Sequence, residues 1–164
     1  MNLDPIAMLI VLLLAGAANT APLIATKLLR GRFAAPIDRG VLLRDGRPLF
    51  GASKTLRGVI SGIALPALLA PVCGQPVALG LAIGAAAMAG DLCSSFVKRR
   101  MGLRPSSQAF ALDQLPEVLL PAWVARGWLD LSVVEVVIIG AVFLVAELAL
   151  SRLLYRLNLR DTPY

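Results

Sequence analysis

Three polar residues within an apolar stretch are spaced so that they share one side of a helix. Asp91, Ser95 and Lys98 lie four and then three residues apart, which is the periodicity of an α-helix. A charged side chain inside a membrane-spanning helix costs about 3 kcal/mol, so an acid there requires a partner or a purpose. The spacing predicts that the three side chains face the interior of a helix bundle. The structural alternative is an ion pair of Asp91 with Lys54 or Arg57.

A second pair of acids, Asp113 and Glu117, is separated by four residues and therefore lies on one helical face. Two carboxylates can share a cation, and Mg²⁺ takes one or two protein carboxylates while substrate phosphates complete its octahedral shell. A helix N-terminus also stabilises acids through its dipole, and this explains Asp113 equally well. The pattern leaves open both a metal site and a structural helix start.

A basic loop leads into the second apolar stretch. Residues 45–58 read Asp-Gly-Arg-Pro-Leu-Phe-Gly-Ala-Ser-Lys-Thr-Leu-Arg-Gly, which places Lys54, Thr55 and Arg57 together at a predicted helix start. Free backbone N–H groups and the helix dipole favour a phosphate at such a position. The alternative is that the cations of the loop contact anionic lipid headgroups.

The elements that carry these residues are strongly apolar. Of the 164 residues, 58% are hydrophobic and the mean hydropathy is +0.79, which is more apolar surface than one small soluble core can bury. The chain therefore predicts an all-α integral membrane protein, a bundle of about five transmembrane helices in a single domain over residues 1–164. The apolar stretches run from Pro5 to Leu29, Leu56 to Val72, Val77 to Val97, Phe110 to Ala125 and Leu131 to Leu154.

The distribution of Lys and Arg predicts the orientation of this bundle. All but one of the sixteen basic residues lie at or near the connection between the first and second spans, just after the third span or near the C-terminus, and the exception is Arg126. The positive-inside rule then places the N-terminus outside, the C-terminus in the cytoplasm, and cytoplasmic loops at about 30–56 and 98–110. No basic residue precedes the first span, so we expect it to remain as an anchor instead of being cleaved as a signal peptide.

Several classes of function are excluded or disfavoured by composition. The chain has no histidine, which excludes imidazole base catalysis, Ser-His-Asp triads and histidine metal sites. Its basic residues interrupt apolar runs instead of forming a water-facing patch, so nucleic acid is not expected as a partner. Two Gly-x-x-x-Gly pairs, Gly58 with Gly62 and Gly80 with Gly84, predict close packing of the second and third helices. The oligomeric state is not predicted.

Four segments together resemble the CDP-archaeol synthase family, which is related to the CDP-diacylglycerol synthases. They are residues 19–22, 45–58, 90–100 (Gly-Asp-Leu-Cys-Ser-Ser-Phe-Val-Lys-Arg-Arg) and 112–114 (Leu-Asp-Gln). The chain is similar to a divergent, bacterial-type member. The family usually places a second aspartate three residues after the first in the last segment. This chain has Pro116 there and Glu117 one residue later, where an acid still shares the face of Asp113.

The resemblance implies a Mg²⁺-dependent lipid-phosphate cytidylyltransferase. Such an enzyme transfers CMP from CTP to a membrane lipid phosphate, releases pyrophosphate and forms a CDP-lipid. The expected partners are CTP, a lipid phosphate and membrane lipids, and the expected location is the bacterial inner (cell) membrane with the site facing the cytoplasm. The site residues assigned on this basis are Asp91, Asp113 and Lys98 as catalytic; Asn19, Lys54, Thr55, Arg57, Ser95, Arg99 and Gln114 as substrate-binding; and Asp91, Asp113 and Glu117 as metal ligands.

Two other classes of function stay open. A non-catalytic membrane protein, used for lipid binding or assembly, would retain the helix bundle without turnover, and Pro116 favours this alternative. A small ion or solute carrier predicts acids spread through the depth of the membrane, whereas the acids of this chain cluster near one face. Asn19, deep in the first span, is explained equally well by a hydrogen bond between helices.

Overall fold

The computed structural model describes residues 3–103 and 113–156, except for the side chains of residue 148 and of residues 150–156. Apart from two isolated β-bridges in the first loop, all regular structure in these ranges is helical. The predicted all-α fold of five helices is therefore confirmed. The helices are α1 (Pro5–Leu29), α2 (Leu56–Leu69), α3 (Val77–Arg100), α4 (Gln114–Leu129) and α5 (Val133–Arg156), and a 3₁₀ turn (Ala70–Cys73) continues α2.

The first helix has the bounds that the apolar pattern predicts. Asp4 is its N-cap residue, and its carboxylate accepts hydrogen bonds from the backbone N–H groups of Ile6 and Ala7 at 3.0 Å. Such a cap satisfies two of the N–H groups that have no partner inside the helix. Asp4 thus explains why α1 begins at Pro5, whose ring also suits a first helical position.

The boundaries of α3 and α4 differ from the prediction. Helix α3 continues to Arg100, three residues beyond the predicted end of the third span at Val97. Lysine and arginine are good helix formers, and their charges are favourable at a helix C-terminus. Helix α4 extends four residues beyond the predicted end at Ala125. Residues 104–112, which include most of the predicted second loop, lie outside the described residues.

Three stretches of the described chain are long and apolar enough to cross a membrane: Pro5–Leu29, Leu56–Cys73 and Val77–Arg100. Helix α4 has 16 residues and is therefore about 24 Å long. Large apolar side chains on the outside of these helices, such as Leu9 and Ile60, are exposed, as lipid contact requires. The bundle is that of an integral membrane protein, while its orientation across the membrane and its single-domain organisation remain predictions.

The Gly-x-x-x-Gly residues lie where α2 and α3 cross. A Cβ atom on Gly84 would lie 2.8 Å from Cα of Ile63, and one on Gly80 would overlap the backbone of Pro66. A Cβ atom on Gly62 would collide with the side chain of Met88. Close packing of the second and third helices is therefore confirmed at Gly80 and Gly84, where any larger residue would force the helices apart, whereas the flexible Met88 side chain could move away from a substitution at Gly62.

The two ends of the bundle differ in composition. At the end where α1 starts, fully buried apolar residues from four helices form the main core, among them Leu14, Ile83, Val118 and Ile139. The last part of α3, the first turn of α4 and the loop of residues 30–55 lie at the other end, and most of the predicted site residues are there. The helices thus separate a tightly packed apolar half from a polar half.

Candidate active site

Lys54 and Asp91 form an ion pair between the first loop and α3. The Lys54 Nζ atom lies 2.5 Å from Oδ1 of Asp91, and the two side chains are 24% and 21% exposed. Backbone hydrogen bonds place Lys54 at the end of the loop: its carbonyl accepts from Ile37 N–H at 2.8 Å, and its own N–H donates to the Gly51 carbonyl at 3.1 Å. Of the two ion pairs considered from the sequence, the structure contains the one with Lys54.

A close crossing of α3 and α4 brings a second acid to Asp91. A Cβ atom on Gly90 would lie 2.9 Å from the backbone nitrogen of Glu117 and closer still to the Pro116 carbonyl, so only glycine permits this approach. The Glu117 carboxyl group, which is half-buried, is hydrogen-bonded to that of Asp91. Two carboxylates this close repel each other when both are charged, and a cation between them relieves the repulsion.

A third acid adds to the negative potential around this pair. Glu147 of α5 lies within electrostatic range of the Glu117 carboxyl group, and it was not among the predicted site residues. No group of three Asp, Glu, Cys or His side chains close enough to hold a metal ion occurs within the described ranges. The site therefore offers a carboxylate pair with a more distant third charge.

Asp113 forms a separate ion pair at the start of α4. Its Oδ1 atom lies 2.7 Å from Nζ of Lys98, which is nine-tenths buried near the end of α3. Asp113 and Glu117 share a helical face in the sequence, but in the structure they contact different residues of α3. The bundle therefore contains two neighbouring units, each an acid and a lysine: Asp91 with Lys54, and Asp113 with Lys98.

Other predicted site residues are buried or have enclosed polar atoms. Ser95, Arg99 and Gln114 are 3%, 3% and 6% exposed. The Oε1 atom of Gln114 and both amide atoms of Asn19 are enclosed and have no hydrogen-bond partner among the described residues. Because buried polar atoms nearly always have a partner in native proteins, these amides are positions that a bound polar molecule could complete.

Two predicted phosphate-binding residues make contacts within the protein. Thr55 caps α2, since its hydroxyl oxygen accepts a hydrogen bond from Gly58 N–H at 3.3 Å. Arg57 donates to the carbonyl oxygens of Arg30 at 2.5 Å and Arg32 at 2.6 Å, just beyond the end of α1. These contacts explain why α2 starts here and how it attaches to α1, and a role for either residue in phosphate binding remains a prediction.

Asp38 organises the loop that delivers Lys54, and it was not among the predicted site residues. Its buried carboxylate accepts hydrogen bonds from the N–H groups of Gly40 at 3.0 Å and of Phe50 and Gly51 at 2.9 Å. Burial opposes its ionisation, but these three donors outweigh burial and hold the pKa of Asp38 below its usual value. The Asp-Arg-Gly turn at residues 38–40 indicates the first of these bonds, while the other two join residues twelve and thirteen positions apart.

Comparison with known proteins identifies the family. The model for the family described as "CarS-like: CDP-archaeol synthase" matches residues 70–164, which is more than half of the chain. The chain belongs to the CDP-archaeol synthase family. A CDP-archaeol synthase from Aeropyrum pernix is 37% identical over 95% of this chain and 90% of its own length. One from Pyrobaculum arsenaticum is 32% identical over 90% of this chain and 91% of its own length.

A solved structure agrees with this assignment to the CDP-archaeol synthase family. It is described as an intramembrane enzyme for archaeal membrane lipids biosynthesis, and it superposes with a TM-score of 0.75 at 33% identity, covering 85% of this chain and 89% of its own. The family resemblance inferred from the four sequence segments is thereby confirmed. Because the named relatives are archaeal, the comparisons give no support to the expected bacterial membrane.

Proposed function

We propose that this protein transfers CMP from CTP to the phosphate of a membrane lipid. Family membership supports the coarser activity, a CTP-dependent transferase that forms a CDP-lipid. In the proposed reaction a phosphate oxygen of the lipid bonds to the α-phosphorus of CTP, the bond from that phosphorus to the bridging oxygen of the β-phosphate breaks, and pyrophosphate leaves. The name of the relatives favours an archaeol-type phosphate as the acceptor.

The observation that carries this proposal is the pairing of two acids with two lysines at one end of a membrane bundle. Both substrates are anionic, so they repel each other until cations neutralise their phosphates. Catalysis of such transfers consists mainly of this neutralisation and of positioning. Lys54 and Lys98 are already held in place by Asp91 and Asp113, so little conformational entropy is lost when they turn to phosphate oxygens.

The residues present fit a Mg²⁺ ion. Asp91 and Glu117 bring two carboxyl groups into contact, and Mg²⁺ sites that bind nucleotides use one or two carboxylates together with phosphate oxygens. We assign the metal to this pair, where the ion would neutralise charge on the triphosphate. Asp113, the third predicted ligand, is held by Lys98, and we assign to it the orientation of that cation.

The remaining polar residues have supporting roles in this proposal. The unpartnered amides of Asn19 and Gln114 would complete their hydrogen bonds with the substrates. Ser95 and Arg99, buried on the same helix as Asp91, would contact phosphate groups. The lipid chains would stay among the exposed apolar side chains, and the reacting groups would meet at the cytoplasmic face, where CTP is available.

The non-catalytic alternative rested on Pro116, which replaces an aspartate usual in the family. Glu117 contacts Asp91 in spite of this replacement, because Gly90 allows the backbone of Pro116 to pack against α3. An acid one residue later along the helix therefore supplies a carboxyl group to the site. This contact supports the enzymatic function over the non-catalytic one.

The proposal is tested by incubating the purified protein with Mg²⁺, labelled CTP and a panel of ether-linked and ester-linked lipid phosphates. We expect a CDP-lipid and pyrophosphate in equal amounts, and loss of both in Asp91→Asn. Asp130→Asn is the matched control, because Asp130 is an exposed acid at the opposite end of α4. Absence of product with every lipid would overturn the function. An Asp91→Asn variant as active as the parent would overturn the site.

A further inference from the structure

The first loop is attached to the end of α3 by three charged residues that the proposed chemistry does not use. The Arg100 Nη1 atom lies 2.6 Å from both carboxylate oxygens of Asp45, and its Nη2 atom donates to the Pro48 carbonyl at 2.5 Å. In return, Nη1 of Arg47 donates to the carbonyl oxygens of Arg100 and, at 3.4 Å, of Arg99. We call Asp45, Arg47 and Arg100 the arginine clasp.

Both guanidinium groups of the clasp are also held by packing. A Cβ atom on Gly102 would lie 3.1 Å from Nη2 and 3.3 Å from Cζ of Arg47, so the arginine lies directly against this glycine. The guanidinium of Arg100 lies 5.4 Å from the centre of the Phe96 ring. Arg47 thus satisfies carbonyl groups at the C-terminus of α3 that have no partner inside the helix.

The clasp connects to the site through a short, hydrogen-bonded path. From Pro48 the loop reaches Phe50 and Gly51, whose N–H groups are bound by Asp38, and the Gly51 carbonyl then accepts from Lys54 N–H. Lys54 in turn reaches Asp91. The loop therefore contacts α3 at two points nine residues apart, which is about 13 Å along the helix.

The geometry of the clasp indicates that it positions the first loop more than it stabilises the fold. Asp45 is 42% exposed, and ion pairs at such exposure contribute little to folding free energy. Arg100 contacts a carboxylate and a carbonyl of the loop, and Arg47 of the loop contacts the end of α3. These contacts restrict where the loop can lie. An anchor of this kind holds Lys54 in reach of the carboxylate pair.

We propose that the arginine clasp positions Lys54 for cytidylyl transfer, and that Arg100 is its main positioning residue. This inference rests on the proposed function for its kinetic consequences. Because Arg100 acts through Lys54, its removal lowers the rate only where Lys54 is present. A residue that merely supported the fold would lower the rate in either background.

The kinetic test is a double-mutant cycle of Arg100→Gln and Lys54→Gln, with Arg44→Gln as the control. Arg44 belongs to the same loop, and its side chain is exposed. We expect Arg100→Gln to lower kcat roughly 10- to 100-fold with little change in KM for CTP. In the Lys54→Gln background it should lower kcat less than about twofold. The kcat of Arg44→Gln should match that of the parent. The kcat of Arg100→Lys, which keeps the charge without the planar guanidinium group, should be intermediate.

A second readout does not depend on activity. Hydrogen exchange of the Phe50, Gly51 and Lys54 amides should be faster in Arg100→Gln than in the parent or in Arg44→Gln. If the parent forms no CDP-lipid, the proposed function fails while this exchange test still applies to the clasp. If Arg100→Gln does not fold, Asp45→Asn takes its place in both tests. Unchanged amide exchange, or an equal loss of kcat with and without Lys54, would overturn the positioning role.

Discussion

The two ends of the helix bundle differ in the kind of residue that they bury. At the end where α1 starts, Leu14, Ile83 and Ile139 are completely buried in an apolar core. At the other end, the helices bury Lys98 and Arg99, and they leave the amide oxygen of Gln114 without a partner among the described residues. Burying a polar group is unfavourable unless the group forms hydrogen bonds or ion pairs. The comparison indicates that one end stabilises the bundle, and the other contains the polar residues assigned to the proposed reaction.

The largest effect of a substitution is expected at the polar end, where a change in the carboxylate pair of Asp91 and Glu117 should reduce activity. Glu117→Gln removes one of the two carboxyl groups proposed to bind Mg²⁺ and should lower CDP-lipid formation by about 100- to 1000-fold, since groups that stabilise developing charge contribute on this scale. Its thermal unfolding in detergent should change little. Steady-state assay of the variant beside Asp130→Asn tests this prediction, and comparable rates in the two variants would contradict the assignment of Glu117.

The apolar end should give the opposite result. Ile139→Ala leaves a cavity in the main core and should lower the free energy of unfolding by about 2 kcal/mol or more. Activity per folded molecule should be retained. Unfolding in mixed micelles measures the change, with Val137→Ala as the control because Val137 lies on the same helix and is 61% exposed. Equal losses of unfolding free energy in the two variants would mean that burial in the core at this end does not contribute to stability.

Gly90 lies in the contact between α3 and α4, next to Asp91, so a substitution there should affect both stability and activity. The added methyl group of Gly90→Ala would overlap the Pro116 carbonyl, so α3 and α4 must separate. We expect a loss of about 1–3 kcal/mol in unfolding free energy together with reduced activity. Gly16→Ala is the matched control, because no atom lies within 4 Å of a Cβ there. Full activity in Gly90→Ala would show that the contact between Asp91 and Glu117 is not required.

The smallest effect is expected in the first loop, at Asp38. Asp38→Asn weakens three charge-assisted hydrogen bonds and should lower stability by about 1–2 kcal/mol near neutral pH. Because the pKa of Asp38 is lowered in the folded protein, its contribution is complete above the usual value of 3.8 and disappears as the pH falls further. The difference in Tm between the parent and the variant should therefore be constant from pH 7 to pH 5 and shrink below pH 3.8. A difference that grows in acid would contradict this sign.

Local periodicity was sufficient to predict the helices and one polar face of α3. The apolar run predicted the bounds of α1, and the spacing of Asp91, Ser95 and Lys98 predicted one face of α3, on which Ser95 and Lys98 are buried. The end of α3 was missed because hydropathy falls at Lys98 while the helix continues. A helix can extend beyond its apolar part when its last residues are good helix formers.

The sequence by itself determined a membrane bundle of five helices, its family, and a concentration of acids and cations near one end. Only the tertiary structure decided which of these charges meet. Asp113 and Glu117 share a helical face, but the first contacts Lys98 and the second contacts Asp91. The spacing of residues along one helix defines a face, whereas partners on other helices depend on where the helices cross. Here that crossing depends on Gly90, whose missing side chain lets α4 approach α3 closely enough for the carboxylate pair to form.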